Sequence, residues 1–263
     1  MLPDTLLVSL KRALMHPLTR AVELDDPRMT ELRLQVIKSK PFLRRIYSDW
    51  YHMLLSRIPH GAGHLLELGS GAGYFKQIVP DAISSEVFFC RNVDLIADAR
   101  RLPFPSSSLK AIVMTDVFHH IPDPDAFLKE AVRCLRPQGR ILMIEPWVGH
   151  WSKLIYSNFH HEPFNADAES WEIPQSGPLS GANGALPWIV FVRDRKILER
   201  KLPDLVIEEI SPMMPLRYLV CGGISTRNLM PAFTYNFWRT FEGAFSHWSS
   251  QLGMFALFSI RRA

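Results

Sequence analysis

Three glycines at alternate positions follow a short apolar run in the chain. The run is LLEL at 65–68, and the glycines after it are Gly69, Gly71 and Gly73. Glycine permits positive φ angles and lets a ligand approach the main chain closely, and the amides at the start of a following helix offer hydrogen-bond donors. The segment therefore predicts a buried strand, a tight turn and a nucleotide-like ligand held close to the backbone.

Two common nucleotide-binding patterns do not fit this turn. A dinucleotide fingerprint, GxGxxG, has Tyr74 in place of its third glycine when counted from Gly69, and Lys76 when counted from Gly71. A phosphate-binding P-loop is excluded because no Gly-Lys-Ser/Thr sequence follows. What remains is an acidic residue, Glu67, followed by glycine at alternate positions.

This pattern resembles motif I of the class I S-adenosylmethionine-dependent methyltransferases, and the resemblance continues over about eighty residues. Three further segments resemble, in order, the family's D-A-x-x-L-P-F segment, its fourth strand with an H-x-P-D turn, and its L-x-P-G-G turn. They are residues 98–104, 111–123 and 135–140. The last segment departs from the family, because Gln138 stands where the first glycine of that turn is usual. The methyltransferases that it resembles act mostly on small molecules and lipids.

The resemblance implies a fold, a cofactor and a set of binding residues. The fold would be α/β, a doubly wound, mostly parallel, seven-stranded Rossmann-like sheet, and the cofactor would be S-adenosyl-L-methionine. Glu86 would accept hydrogen bonds from the ribose diol, and Asp98 would meet the adenine amino group. Carboxylates near the methionyl amine would complement its charge. The implied cofactor-binding residues are Glu67, Gly69, Ser70, Gly71, Gly73, Glu86, Asp98, Ala99 and Asp116.

The ribose carboxylate has two candidates. Glu86 lies 19 residues after the acid of the glycine motif, close to the roughly 20-residue interval between a glycine turn and its ribose acid. However, only 25 residues separate Gly73 from Asp98, too few for the helix that the family has after its second strand. We therefore expect two strands joined by a short loop across residues 84–94, with Asp94 as the alternative to Glu86.

Two pairs of adjacent histidines are candidate catalytic residues. His119 and His120 lie in the segment that resembles H-x-P-D, where they either order the turn or act as a general base. His160 and His161, with Glu162 directly after them, lie in a variable region where the family places acceptor-binding residues. They are candidates for contact with the acceptor, for proton removal or for a structural role. We expect no metal site, because there is no CxxC motif and neighbouring side chains in a strand or loop diverge.

Helices are expected before the glycine motif. We predict an N-terminal helical cap over residues 1–60 and a methyltransferase domain over residues 61–263. The cap is expected to contain three helices, at about 5–15, from about 26, and over 41–58. In the third, apolar side chains recur at intervals of four and either pack on the sheet or cover a ligand; they are Phe42, Ile46, Trp50 and Leu54.

Short apolar runs and helical segments alternate through the predicted domain, which indicates parallel strands covered by helices. The predicted strands are 64–68, 86–89, 93–97, 111–115, 140–144, 204–210 and 254–260. The predicted helices are 74–79, 125–135 and 188–200. Two insertions, about 147–187 and 211–250, are rich in aromatic residues. We expect the first to be irregular and both to lie over the carboxyl ends of the strands, where such sheets bind ligands.

Composition excludes several classes of protein. The 263 residues carry 30 basic and 26 acidic side chains, a net charge of +4, with three widely spaced cysteines. This mild excess of positive charge gives no indication of a nucleic-acid partner and is compatible with weak contact to a membrane surface. The lack of a signal-peptide pattern and of an apolar run of about 18 residues predicts a cytoplasmic protein.

The acceptor is predicted only by class. Aromatic residues in the two insertions favour a small apolar, aromatic or lipid-like acceptor, unless these rings form a core of their own. The predicted activity is transfer of a methyl group from S-adenosylmethionine to such a molecule, in which the protein mainly supplies proximity and alignment. The alternative is a non-catalytic protein of the same fold that binds the adenosyl ligand.

Overall fold

The structure, a computed structural model, describes residues 14–26, 28–71, 73–91, 93–160, 162–173, 177 and 180–263, and these residues contain one seven-stranded sheet. In chain order the strands are β1 His64–Leu68, β2 Ile83–Glu86, β3 Leu95–Ile96, β4 Leu109–Thr115, β5 Leu135–Pro146, β6 Leu205–Met213 and β7 Phe255–Arg262. Their order across the sheet is β3-β2-β1-β4-β5-β7-β6. The first five strands pair in parallel, and β7 pairs antiparallel with β5 and β6. The predicted α/β, mostly parallel sheet is confirmed.

The central strands β1 and β4 are apolar because side chains cover both faces of the sheet. In β1 the residues from Leu65 to Leu68 are all buried, and in β4 the run 111–114 is buried as well. Strand β1 pairs with β2 on one side and with β4 on the other. Its carboxyl end, and the glycine turn that follows, therefore lie near the middle of one edge of the sheet.

The predicted bounds of β2 were wrong. The strand is Ile83–Glu86 rather than 86–89, because the polar residues Ser84 and Ser85 are fully buried and hydrogen-bonded. The Ser85 hydroxyl, for example, donates to a main-chain carbonyl of β1 at 2.8 Å. Val87 and Phe89, whose apolar character suggested a strand, are 50% and 72% exposed. Among the described residues no helix joins β2 to β3, as the short interval predicted.

The described part of the chain contains eight α-helices of four or more residues. They are α1 Arg28–Ser39, α2 Pro41–Leu55, α3 Pro124–Cys134, α4 His150–Phe159, α5 Arg195–Lys201, α6 Arg217–Val220, α7 Tyr235–Gly243 and α8 Ser249–Leu252. The helix predicted over 188–200 is divided, since a single turn, Leu186–Trp188, and a π-helix, Ile189–Arg193, precede α5. The helix predicted over 74–79 is a 3₁₀ turn, Phe75–Gln77.

Helix α2 packs its apolar stripe against the sheet. The four stripe residues are at most 1% exposed, and they share one core cluster with side chains from β1, β4, β5 and β7. Each such burial stabilises the fold by about 1.5–3 kcal/mol, so the packing interpretation of this stripe is confirmed. Residues 5–13 of the first predicted helix lie outside the described residues.

The first insertion was wrongly predicted to be irregular, and both insertions contain helices. The first contains α4, which begins where the Gly149 main chain and the Ser152 hydroxyl bond each other. Trp151 and Ile155, four residues apart on α4, pack against the core, a helical spacing that the surrounding glycine and proline concealed. The second insertion contains α6, α7 and α8. No helix of the described residues is long and apolar enough to cross a membrane.

Candidate functional site

A cavity of about 450 Å³ lies at the carboxyl ends of β1, β2, β3 and β4. Helices α1 and α2 contribute to its wall, and so do α4, α6 and the residues after each of them. Both predicted insertions therefore help to enclose it. The volume suits a small-molecule site, and the position is the one at which parallel α/β sheets bind ligands.

The glycine turn forms the floor of the cavity. Gly69, Gly71 and Gly73 have φ angles of 62°, 59° and 75°, a left-handed conformation that other residues adopt at a cost. A Cβ atom on Gly69 would lie 2.5 Å from Val117 Cγ2, whereas one on Gly71 would meet only Thr30 Cγ2 at 3.9 Å. Gly69 thus serves packing, and Gly71 leaves open space. Gly73 does not line the cavity, and its amide closes the turn by donating to the Ser70 carbonyl; its contact with the cofactor stays a prediction.

Glu86 lies at the end of β2, beside the glycine turn. Its Oε1 accepts a hydrogen bond from the Gly71 amide at 2.6 Å, and burial raises the pKa of the carboxyl to about 7. Asp94 is placed elsewhere: its carboxylate accepts from the main chain and hydroxyl of Ser84 and pairs with Lys76, and it does not line the cavity. The geometry favours Glu86 over Asp94.

Asp98 and Ala99 line the cavity beyond β3. The Arg100 guanidinium holds the Asp98 carboxylate through two parallel contacts, from Nε at 3.0 Å and from Nη2 at 2.7 Å. These hydrogen bonds lower the pKa of Asp98 below its ordinary value. The carboxylate is therefore ionised and oriented without a ligand.

Two further acids line the cavity at the ends of β1 and β4. Glu67 is 4% exposed, its Oε2 has no hydrogen-bond partner among the described residues, and burial raises its pKa to about 8. Asp116 has a φ of 62°, and burial raises its pKa to about 6. A buried carboxylate oxygen without a donor is a place for a cationic group. Ser70 also lines this part of the wall.

His119 is enclosed behind the wall of the cavity. Its Nδ1 lies 2.6 Å from Glu145 Oε2, and Glu145 Oε1 accepts from the amides of Val117 and Phe118. Burial alone would lower the pKa of His119, but the carboxylates of Glu145, Glu162 and Asp116 together outweigh burial and raise it. His119 has no surface on the cavity. Sequence reasoning missed Glu145, which lies 26 residues away and carries no motif signal.

His120, His160 and Glu162 line the opposite end of the cavity from Asp98 along the strand edge. His120 Nδ1 lies 3.0 Å from the carbonyl oxygen of Gly181, and burial lowers its pKa to about 3. Glu162 Oε2 lies 3.3 Å from His119 Nε2, and its Oε1 lies 3.7 Å from His120 Nε2. His161 lies outside the described residues.

The aromatic lining differs from the prediction. Of the aromatic residues of the two insertions, Tyr156 and Phe159 line the cavity, and Tyr218 of α6 does too. Others belong to the core, such as Trp147 and Trp171, or are exposed. The remaining rings of the wall come from residues that were not predicted, namely Tyr47, Tyr51 and Tyr74.

Arg33 is a further residue that sequence reasoning missed. It lines the cavity together with Thr30, Leu34 and Ile37 of α1, a spacing that places them on one helix face. No carboxylate of the described residues forms an ion pair with Arg33, although its charge lowers the pKa of Glu86 as a minor cause. A cavity with several acids thus contains a guanidinium available to an anionic group.

Comparison with known proteins gives the following matches. Residues 66–143 match the family described as Methyltransferase domain. The ubiquinone/menaquinone biosynthesis C-methyltransferase UbiE of Rickettsia massiliae is 26% identical, over 39% of this chain and 51% of the relative. UbiE of Caulobacter sp. is 42% identical over 50 residues, 19% of this chain and 20% of the relative. The chain spans about half the length, or less, of the curated relatives it matches.

Solved structures share the whole architecture. The geranyl diphosphate C-methyltransferase of Streptomyces coelicolor A3(2), in complex with Mg²⁺, geranyl diphosphate and S-adenosyl-L-homocysteine, has a TM-score of 0.50 at 16% identity, covering 95% of this chain and 92% of that one. A geranyl diphosphate methyltransferase in complex with S-adenosylmethionine has a TM-score of 0.53 at 14% identity, covering 95% and 98%. At these identities the likeness shows the fold.

Proposed function

We propose that this chain, whose residues 66–143 match the Methyltransferase domain family, is a class I S-adenosylmethionine-dependent methyltransferase that transfers the methyl group of S-adenosylmethionine to a small, apolar or lipid-like acceptor. The observation that carries the proposal is the glycine turn: open space faces Gly71, with Glu86 and the unpartnered Glu67 Oε2 on the same wall. When bound there, the cofactor supplies an electrophilic methyl group on a sulfonium.

The residues at the ends of β1, β2 and β3 would hold the cofactor. We call Glu67, Gly71, Glu86 and Asp98 the cofactor end of the cavity. Glu86 accepts hydrogen bonds from a ribose diol, and Asp98 with Ala99 adjoins the adenine. Glu67 and Asp116 complement an ammonium group, while Arg33 binds the carboxylate of the same amino-acid tail. The tail carries both charges, which explains why a guanidinium lies among acids.

The other part of the cavity would receive the acceptor. We call His120, His160 and Glu162 the acceptor end. Apolar side chains of α4, α6 and the following residues surround these polar groups, among them Ile155, Leu219 and Met254, and such a lining suits an apolar molecule with one polar handle. One matched relative is a C-methyltransferase of ubiquinone and menaquinone biosynthesis, and one similar structure is a geranyl diphosphate C-methyltransferase. Quinone precursors and geranyl diphosphate are small, largely apolar molecules of the proposed class.

Methyl transfer needs little from the protein beyond alignment. Effective concentration of two well-oriented reactants supplies about 7–11 kcal/mol of a barrier. A proton acceptor is needed only where the acceptor atom must lose a proton. His120, His160 and, beyond the described residues, His161 are the candidates that we assign to contact with the acceptor, and His119 positions the turn behind them.

Two measurements test the proposed function. Calorimetry should detect binding of S-adenosylhomocysteine and none of NAD; the reverse result would contradict it. Incubation with methyl-labelled S-adenosylmethionine and a panel of prenyl diphosphates and quinone precursors should label one class of product. Gly71→Val protein is the control, because it should bind no cofactor. Cofactor binding with no labelled product from any acceptor pool would favour the non-catalytic alternative.

A further inference from the structure

Three side chains at the acceptor end converge on one point. His119 Nε2 and His120 Nε2 lie 3.3 Å and 3.7 Å from the two oxygens of the Glu162 carboxylate. All three potential ligand atoms lie within 4.8 Å of one another. Bonds of about 2.0–2.2 Å from one metal ion to two imidazole nitrogens and a carboxylate place ligand atoms at similar separations.

The opposite nitrogen of each histidine ring is already engaged. His120 Nδ1 lies 3.0 Å from the Gly181 carbonyl oxygen, which only accepts, so Nδ1 carries the hydrogen. His119 Nδ1 donates to Glu145 Oε2 at 2.6 Å, since Glu145 is held as a carboxylate by two amides on its other oxygen. With Nδ1 of each ring engaged in this way, both Nε2 atoms are directed at the Glu162 carboxylate, the orientation that a shared metal ion requires.

We propose that His119, His120 and Glu162 bind one divalent transition-metal ion at the acceptor end of the cavity. Two neutral imidazoles and one carboxylate form a ligand set that suits Zn²⁺. Glu145 and the Gly181 carbonyl orient the two rings by accepting from Nδ1, as outer-shell partners of metal-bound histidines commonly do. Nothing in the family's motifs assigns a metal to these residues.

The folded backbone creates this site from residues that sequence reasoning kept apart. His119 and His120 end a 3₁₀ turn, Phe118–His120, which places their ring centroids 4.2 Å apart. An extended segment would have pointed them in opposite directions. Glu162 comes from beyond α4, 42 residues after His120. The proposal therefore departs from the expectation that the chain has no metal site.

Three protein ligands leave a coordination position open to the cavity, because His120 and Glu162 both line it. An oxygen of the acceptor, from a hydroxyl, carboxylate or phosphate group, fits that position and would be oriented there. This role rests on the proposed function, whereas the binding of the ion does not. The two are therefore separable by experiment.

The test is metal binding by the whole chain. Protein freed of metal with a chelator should take up one equivalent of Zn²⁺, and Co²⁺ in its place should give visible absorption bands that Zn²⁺ abolishes. Glu162→Gln and His120→Asn should each remove the bands while leaving S-adenosylhomocysteine binding intact. Glu145→Gln should weaken metal affinity by about 10- to 100-fold through loss of its outer-shell contact.

Glu86→Gln is the matched control, a carboxylate of the same cavity at the cofactor end. It should weaken S-adenosylhomocysteine binding and leave the Co²⁺ bands unchanged. Wild-type protein that melts cooperatively and binds S-adenosylhomocysteine, but takes up no equivalent of metal, would overturn the metal site and leave the proposed function standing. Unchanged metal uptake by a folded Glu162→Gln or His120→Asn protein would overturn it equally. If one of these variants fails to fold, the other decides the test.

Discussion

The two ends of the cavity are held by different kinds of contact. At the cofactor end, main-chain amides set the geometry: the Gly71 amide donates to Glu86, and the Ser70 amide donates to the carbonyl of Ser85. At the acceptor end, side chains from separate segments hold one another, as His119 does with Glu145 and Glu162. A backbone-held site keeps one ligand, whereas a site built from side chains on inserted segments can change its ligand by substitution.

The largest expected effect comes from a side chain placed in the floor of the cofactor end. Gly71→Val should reduce S-adenosylhomocysteine affinity by more than about 100-fold, since the new side chain occupies the open space while the left-handed φ costs about 1–2 kcal/mol of stability. Calorimetry and a thermal melt measure the two effects. Gly69→Val is the contrast, because its Cβ would lie 2.5 Å from Val117 and should mainly destabilise the fold. Tight binding by Gly71→Val would contradict the placement of the cofactor.

Next in size is the loss of the carboxylate that we assign to the ribose. Glu86→Ala should weaken binding about 10- to 100-fold, since a hydrogen bond to a charged group contributes about 1.5–3 kcal/mol. Asp94→Ala should bind almost as wild type, because Asp94 pairs with Ser84 and Lys76 outside the cavity. If instead Glu86→Ala binds normally and Asp94→Ala does not, the ribose assignment moves to Asp94.

A smaller effect is expected at the amino-acid tail of the cofactor. Arg33→Met should weaken S-adenosylhomocysteine binding about tenfold but leave the affinity for methylthioadenosine, which lacks the tail, unchanged. The difference between the two ligands isolates the contact with the carboxylate. An equal loss for both ligands would indicate that Arg33 acts only through packing. An increase in the KM for the acceptor, with S-adenosylhomocysteine affinity unchanged, would assign the guanidinium to the acceptor.

The pH dependence of stability reports the buried acid Glu67. Its pKa is about 8 in the folded chain and near 4.5 when exposed, so the unfolded chain binds fewer protons between these values. The free energy of unfolding therefore falls as pH rises from about 4.5 to about 8, because folding then requires Glu67 to stay protonated while the unfolded chain releases its proton. Glu67→Gln should stabilise the ligand-free protein at pH 8 by about 1–3 kcal/mol, or about 2–4 °C in Tm per kcal/mol.

At pH 4 the same substitution should change Tm little, because Glu67 is then protonated in both states. The exposed acid Glu172 offers a matched control, and Glu172→Gln should leave Tm unchanged at both pH values. A Glu67→Gln protein that is less stable than wild type at pH 8 would mean that the carboxylate is ionised and stabilised in the folded chain, contrary to the pKa shift.

The cofactor end could be predicted from the sequence because its parts are local. The strand before Gly69, the glycine turn and the interval to Glu86 all lie between residues 64 and 86, and the conformation of a turn depends on its own residues. The bounds of β2 failed for a tertiary reason: Ser84 and Ser85 are buried because neighbouring strands satisfy their polar groups. Propensity treats such residues as exposed.

The acceptor end could not be predicted in the same way. The contact of His119 with Glu145 joins residues 26 apart, and that of His120 with Glu162 joins residues 42 apart, without any motif. Arg33 belongs to a helix whose cavity-facing side is indistinguishable in sequence from a solvent-facing one. From the sequence, four histidines were candidates. In the folded chain His120 and His160 line the cavity, whereas His119 does not.

The smallest expected effect concerns the segment 158–188, which carries part of the acceptor end. The segment is anchored in the core by Trp171, Ile173 and Leu186, but Phe159, His160, Glu162 and Gly177 face the cavity. Amides near a bound ligand open less readily, because the ligand stabilises the closed state. We therefore expect S-adenosylhomocysteine to slow amide hydrogen exchange in the cavity-facing parts of 158–188, with β4 and β5 as the unchanged reference.

Closure of this segment should matter for transfer more than for cofactor binding. His160→Ala and His161→Ala should retain S-adenosylhomocysteine affinity and lose methyl transfer, because a lid that brings acceptor contacts to the reacting atoms acts after the cofactor is bound. The comparison between the two ends predicts this separation, since the residues that we assign to the cofactor lie outside this segment. Unchanged exchange together with full transfer in both variants would make the segment purely structural. The search for a proton acceptor would then return to His119 and His120.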